Sequence, residues 1–354
     1  MRRSNALTVI AVTACLGTSP SARVIADPQP TYTMTALDAA SGKKYVDFTG
    51  INDDGVTVGT SRPDTSGGCP TLWQAAGGTG TALDDSIGVA TSVNKIGVVV
   101  GHVGTDAVAW HNGVKKVLAM PSTVSFASAS GINNNGEIVG EAIHKDVPTA
   151  FLRLTDASIV FLPGLPGLPS GRAYAINDTG TIAGTAFNDD GATKGCVWVN
   201  HKPFALPTLG GVDSEARNLN SHGDIVGDAD LASGKSHACL WKNGKPIDLG
   251  ALPGDDTSRA LYVNDSDEVV GVSGFKTAFF WKDGQMYSLH DIMSPKPDWV
   301  PAQATVINNK GQIAGWGEND NGRVYGFLLS PSAASPPTTT PSTTTSTTTP
   351  SAGG

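Results

Sequence analysis

The residues of this 354-residue chain whose types could do chemistry are seven histidines, a few acidic turns, four cysteines and two tryptophans set apart from the rest. The histidines are His102, His111, His144, His201, His222, His237 and His290, and they show no His-x-x-x-His spacing. No Cys-x-x-Cys spacing occurs either, so nothing in the pattern gathers ligands for zinc. Most of the histidines fall where turns or strand ends are expected. A Gly-x-Ser-x-Gly elbow is absent, as is a phosphate-cradling glycine loop followed by lysine, which removes the familiar hydrolase and nucleotide signals. Three acidic stretches between predicted second and third strands, Asn188 to Gly191, Asp228 to Asp230 and Glu318 to Gly322, offer oxygen atoms to Ca2+. None has the full spacing of a calcium loop, and Asx-Gly runs are also what ordinary turns need. Apart from Ca2+, no cofactor or metal is expected. Trp299, in a long loop from His290 to Pro301, and Trp316, next to Gly315, are the candidate binding residues; the alternative is that both cap the end of the fold.

The elements that must position these residues come from a repeat. An asparagine preceded by an apolar residue recurs at Asn52, Asn94, Asn133, Asn177, Asn220, Asn264 and Asn308, at intervals of 42, 39, 44, 43, 44 and 44 residues. Seven residues after each stands a glycine, from Gly59 to Gly315, and three residues after it another, replaced once by Asp267. Asn-x-x-Gly before a β-branched run predicts strand, tight turn, strand. A third strand is marked by a small residue and a tryptophan, as in Ala107 to Trp110 and Ala238 to Trp241. Five of the seven tryptophans occupy that slot, which points to core packing. A fourth strand follows Asn-Gly or Asp-Gly turns and carries a leucine anchor: Leu83, Leu118, Leu162, Leu206, Leu249 or Leu289. Alanine stands four residues before the asparagine in every repeat but the first, which has Phe48.

Four short strands in about 44 residues match a β-propeller blade rather than a solenoid coil. Seven copies of the first three strands are found, but only six of the fourth. The missing one is supplied by residues 32 to 38: Leu37 lies 15 residues before Asn52, as Leu249 lies 15 before Asn264. The sequence therefore predicts an all-β, seven-bladed propeller over residues 27 to 331, its last blade closed by the N-terminal strand.

The ends read differently. Arg2 and Arg3 followed by an apolar run from Ala6 to Leu16 resemble an export signal ending at Ala26. Val12 to Cys15 also resembles a lipobox, which would acylate Cys15; both readings send the chain out of the cytoplasm. Residues 332 to 354 are rich in Thr, Ser and Pro, a composition expected to stay disordered. With three cysteines left after processing, Cys196 and Cys239 sit in equivalent positions of adjacent repeats. That places them too far apart for a disulfide, so they are read as small core residues. The formal charge is -8 and no basic stripe is present, which argues against a nucleic-acid partner. No apolar run is long enough for a transmembrane helix.

The pattern Ala-x-x-x-Asn-x-x-Gly followed by His-Ala-Phe-ϕ-Trp and Asp-Leu-Gly-x-Leu resembles the bacterial extracellular HAF-repeat proteins. The copy nearest that pattern runs from Asn220 to Leu252, through His237, Ala238, Cys239, Leu240 and Trp241. The resemblance covers roughly residues 31 to 331 and implies an exported repeat protein, without implying an activity. The expectation is therefore a monomeric, non-catalytic scaffold that recognises a protein or glycan at the cell envelope or beyond it. The alternative is an envelope or extracellular lyase or hydrolase whose groups gather at the channel from several blades, leaving no local motif.

Overall fold

The computed structural model describes residues 29 to 64 and 66 to 332. The export signal, Ala26, Cys15 and all but the first residue of the Thr/Ser/Pro tail lie outside them. Each repeat forms one antiparallel sheet. In the fourth, Ser170–Ile176 is innermost, followed outward by Ile182–Phe187, Thr193–Val199 and Lys202–Ala205. The inner strands of the others are Tyr45–Ile51, Gly88–Val93, Val124–Ile132, Gly210–Leu219, Ser258–Val263 and Val300–Ile307. The seven sheets make a seven-bladed β-propeller. Among the described residues the one α-helix is Leu289–Ile292, and no helix is long and apolar enough to cross a membrane.

The last blade is closed as the leucine spacing predicts. Tyr32–Asp38 pairs antiparallel with Val324–Pro331, from Tyr32 opposite Pro331 to Leu37 opposite Gly326. One feature was not foreseen: Gly78–Thr79 leaves the first blade and pairs in parallel with Leu37 and Asp38, giving the last sheet a fifth short strand.

Packing between blades explains the repeat. The alanines four residues before each asparagine are fully buried, and Trp73, Trp110, Trp198 and Trp241 are at most 1% exposed. The indoles of Trp73, Trp198 and Trp241 also act between blades, whereas Trp110 Nε1 has no partner. Trp198 Nε1 donates to Pro163 O at 2.8 Å and Trp241 Nε1 to Pro207 O at 2.7 Å, each acceptor directly following the leucine anchor of the preceding blade. Trp73 makes the same bond to Asp38 O at 2.6 Å, so it fastens the first blade to the closing strand.

The asparagines form a ring. Each Nδ2 donates to the backbone carbonyl of the equivalent asparagine one blade on, from Asn52 to Asn94 around to Asn308 and back to Asn52, at 2.9 to 3.3 Å. The Oδ1 atoms meanwhile accept amides of their own turns, as Asn177 does from Thr179 and Thr181. One amide therefore satisfies the turn and staples the neighbouring blade, using its donor and its acceptor for different tasks.

Candidate functional site

Every inner strand carries a β-bulge at the same place, three residues before its asparagine. A bulge leaves one residue unpaired and re-aims its side chain. The bulged residues Thr49, Thr91, Ser130, Tyr174, Arg217, Leu261 and Thr305 all line a central cavity of about 520 Å3. A second, smaller cavity of about 270 Å3 lies at the asparagine ring, and Tyr262 lines both.

Two further positions flank the bulged residues, and of the side chains there Gln303 lines the cavity. The residue five before the asparagine pairs across the sheet with the residue eight after it, as Glu215 pairs with Asp228 and Ser128 with Glu141. In the third to sixth blades these positions fill with charge. Arg172 Nε lies 2.9 Å from Glu141 Oε2. Arg217 bonds Glu215 and reaches Asp228 Oδ1 at 3.1 Å, and Arg259 Nε meets the same oxygen at 3.1 Å. Three arginines and three carboxylates thus form a neutral arc, with the buried Asp228 bridging two of the arginines. Tyr174 stands within the arc. Burial, then Glu215, raises its phenol above the ordinary range, partly opposed by Arg172 and Arg217. Burial works to lower the Arg217 guanidinium, but Asp228 and Glu215 more than offset this and raise it. At the near end of the arc, His102 Nδ1 lies 3.1 Å from Ser128 Oγ, and burial lowers that imidazole below its ordinary value.

The opposite wall is built of hydroxyl groups, most of them already committed. Thr49 and Thr91 donate to the carbonyls of Ala90 and Ala129 on the next blade, and Thr305 donates to Ala314. Of the arc, Tyr174 and Arg217 line the cup, and Gln303 of the last blade adds a polar side chain on the other side.

The residues singled out from sequence fall elsewhere. Trp299 is 5% exposed, stacked on Tyr325 at 5.3 Å and Phe327 at 5.7 Å, in a core cluster with Leu289, Ile292 and Met293. The long loop thus folds its apolar side chains inward. Trp316 is half-buried and lines a separate pocket of about 200 Å3 at the seam of the last and first blades. Asp228 is not in a loop, as the acidic run suggested, but inside the strand Ile225–Leu231. Asn188 and Asn319 spend their side-chain oxygens on turn amides. Among the described residues no group of three or more His, Cys, Asp or Glu side chains could hold a metal. Cys69, Cys196 and Cys239 are free and buried. The charged arc was missed because its members share no motif. Aligning the repeats on asparagine would have found it, since positions five before, three before and eight after turn from Thr, Ser and Val to Arg, Glu, Asp and Tyr only in some blades.

No protein-family model matches the chain, and no curated protein matches it in sequence. Solved structures do resemble it in fold. A puromycin-hydrolysing peptidase from Mycobacterium tuberculosis aligns with a TM-score of 0.51 at 14% identity, over 82% of this chain and 54% of that one. TolB from Acinetobacter baumannii aligns with a TM-score of 0.44 at 12% identity, over 78% and 63%. The β-propeller domain of the Trilobed protease from Pyrococcus furiosus aligns with a TM-score of 0.48 at 9% identity, over 81% and 95%. The chain thus spans well under two thirds of the peptidase and slightly under two thirds of TolB. At these identities the likeness is one of fold.

Proposed function

We propose that the protein is an exported, non-catalytic recognition propeller that holds an uncharged polar glycan, free or on a protein, at the arc-lined mouth of its channel. The observation that carries this reading is the neutral run from Glu141 through Arg172, Tyr174, Arg217, Glu215 and Asp228 to Arg259 beside an open cup. Arg172 and Arg259 meet their carboxylates through Nε, and Arg217 holds two carboxylates through Nε and Nη2, so each guanidinium keeps N–H donors and each carboxylate keeps lone pairs. Neighbouring donors and acceptors on a rigid concave wall suit the vicinal hydroxyl groups of a sugar. A balanced charge gives no preference for an anion.

The same geometry supports recognition over turnover. General acids and bases work best with pKa values near the operating pH. The two titratable arc groups that line the cup, Tyr174 and Arg217, are both raised away from neutrality, and His102 stands outside the cup lining. Export and a place at the cell envelope or beyond rest on the N-terminal signal and the HAF-repeat resemblance, with acylation of Cys15 and cleavage after Ala26 as the two routes. Cell fractionation of the Cys15→Ala variant separates them, because only the acylated form changes from membrane-bound to released. In this reading the protein acts as a monomer.

Glycan-array binding by the protein and its Tyr174→Phe and Arg259→Ala variants tests the site. Binding of neutral glycans that falls about tenfold in each variant, near 1.4 kcal/mol per site, supports the reading. Unchanged binding removes the arc as the site. Cleavage of a bound glycan by the unaltered protein replaces the reading with the lyase or hydrolase alternative.

A further inference from the structure

We infer a second site, at the seam between the second and third blades, that takes a planar aromatic carboxylate. In the repeat this seam is where a tryptophan belongs, and here the tryptophan is missing. Arg153 stands opposite Ile138 in the register that sets Trp198 opposite Ile182 and Trp241 opposite Ile225. Trp198 shares one buried cluster with Leu152, Leu162, Ile176 and Ile182. Their counterparts one blade earlier, Ala109, Leu118, Ile132 and Ile138, line a pocket of about 240 Å3 together with Arg153. The pocket is therefore the slot of an indole that the third blade does not carry. Of its lining only Ile132 also lines the channel cup, so the site stands or falls apart from the glycan reading.

Three departures from the repeat converge there. Arg153 replaces the tryptophan with a narrower side chain. The residue just before the tryptophan slot is Leu72, Leu152, Val197, Leu240, Phe280 or Leu328 in the other blades and Ala109 in the second, so the facing wall is cut back as well. Two residues after the asparagine, the other six turns carry Asp54, Asn135, Thr179, His222, Ser266 and Lys310. The second blade carries Ile96, which lines the pocket while 61% exposed. The fold needs none of these changes: a gap in a close-packed seam forfeits the contacts its walls would make, and an isoleucine on a wet turn gains nothing. A flat apolar ring between the two blades would recover both losses.

Charge selects the substituent on that ring. Arg153 and Lys116 line the pocket, and no carboxylate does. Lys115, the neighbour of Lys116, is held by Asp84, but among the described residues neither Lys116 nor Arg153 forms an ion pair. Asp156, on the exposed turn that follows, feels the charge of Arg153, and Glu137 accepts from Asn133 Nδ2 at 2.7 Å outside the lining. One carboxylate against two cations leaves the pocket net positive. Arg153 is half-buried and its Nε has no hydrogen-bond partner, so the guanidinium has donors to offer. A carboxylate matches that fork with two parallel acceptors, while an ammonium would be repelled.

Titration calorimetry of the full chain at pH 7 with indole-3-carboxylate, indole and acetate tests the inference. Indole-3-carboxylate is expected to bind about tenfold more tightly than indole, as a charge-assisted pair at a partly exposed site would give, and acetate too weakly to measure. Arg153→Met should erase the preference for the acid and leave indole bound. Arg153→Trp supplies the side chain that five other blades carry in this slot, and Ala109→Leu the one that four carry at that position, so the fold accepts both. Each should weaken indole-3-carboxylate by about tenfold or more by filling the slot, and Arg153→Trp should also raise the urea midpoint. No binding of indole-3-carboxylate, binding no tighter than that of indole or acetate, or unchanged affinity in both Arg153→Trp and Ala109→Leu overturns it.

Discussion

The glycine seven residues after each asparagine has an ordinary negative or extended φ, so turn geometry does not account for it. The bulge does. A Cβ built on Gly59, Gly101, Gly140, Gly184, Gly227, Gly271 or Gly315 would lie 1.9 to 2.2 Å from the carbonyl oxygen of the residue five before the asparagine. That oxygen is backbone on a buried inner strand and cannot swing away. Gly184→Ala is therefore expected to destabilise the protein by about 3 kcal/mol, at the upper end of overpacking effects, measured as a shift in the urea midpoint with little change in slope. The buried thiols allow a second prediction. Burial pushes Cys196 and Cys239 from an ordinary 9.0 up to about 12. A thiol raised in the folded state contributes stability that is complete below its unfolded value and is lost as pH rises through the folded one. Stability should accordingly decline from about pH 9 upward, and the decline should be shallower in a Cys196→Ala, Cys239→Ala double variant. An identical alkaline slope in both proteins would remove the thiols as its cause.

At the scale of the blade, the asparagine turn joins two elements through one side chain, and the two tasks can be separated chemically. Asn177 accepts from the amides of Thr179 and Thr181 through Oδ1 and donates to Asn220 O through Nδ2 at 3.3 Å. Asn177→Asp preserves the acceptor and removes the donor, setting a carboxylate against a carbonyl oxygen. Asn177→Ala removes both. At pH 7 each is expected to cost about 2 to 3 kcal/mol, from a lost hydrogen bond and an unsatisfied buried group. Only the aspartate variant should recover part of its loss as pH falls below its raised pKa, since the protonated acid can donate again. Denaturant midpoints at pH 7 and pH 4 check this; parallel losses at both pH values in the two variants would mean that the inter-blade bond contributes little.

For the whole molecule, architecture was legible in sequence to the extent that it is repeated. Asn-x-x-Gly gave the hairpins, the tryptophan slot gave the core, and the spacing of Leu37 from Asn52 gave the closing strand, because each feature serves a contact that every blade must make. The arc from Glu141 to Arg259 carries no motif of its own, because its members lie on four consecutive blades and stand out only when the repeats are aligned on asparagine. Trp299, off the repeat and in a long loop, left two readings open from sequence, a binding residue or a cap, and it packs against Tyr325 and Phe327. Closure of the ring itself rests on residues 32 to 38. These pair along Val324–Pro331, and Trp73 and Gly78–Thr79 secure their far end from the first blade. A chain beginning at residue 39 would leave the edge of Val324–Pro331 unpaired and strip cover from Phe327 and Leu329 in the last blade. It is expected to unfold at lower urea and to self-associate, as read by sedimentation. A synthetic peptide of residues 29 to 40, added in excess, should restore the midpoint in a concentration-dependent way, because a ligand that binds only the folded chain stabilises it by mass action. A scrambled peptide should not. A truncated chain as stable as the full one would show that the first six blades and the remaining three strands hold the ring closed unaided.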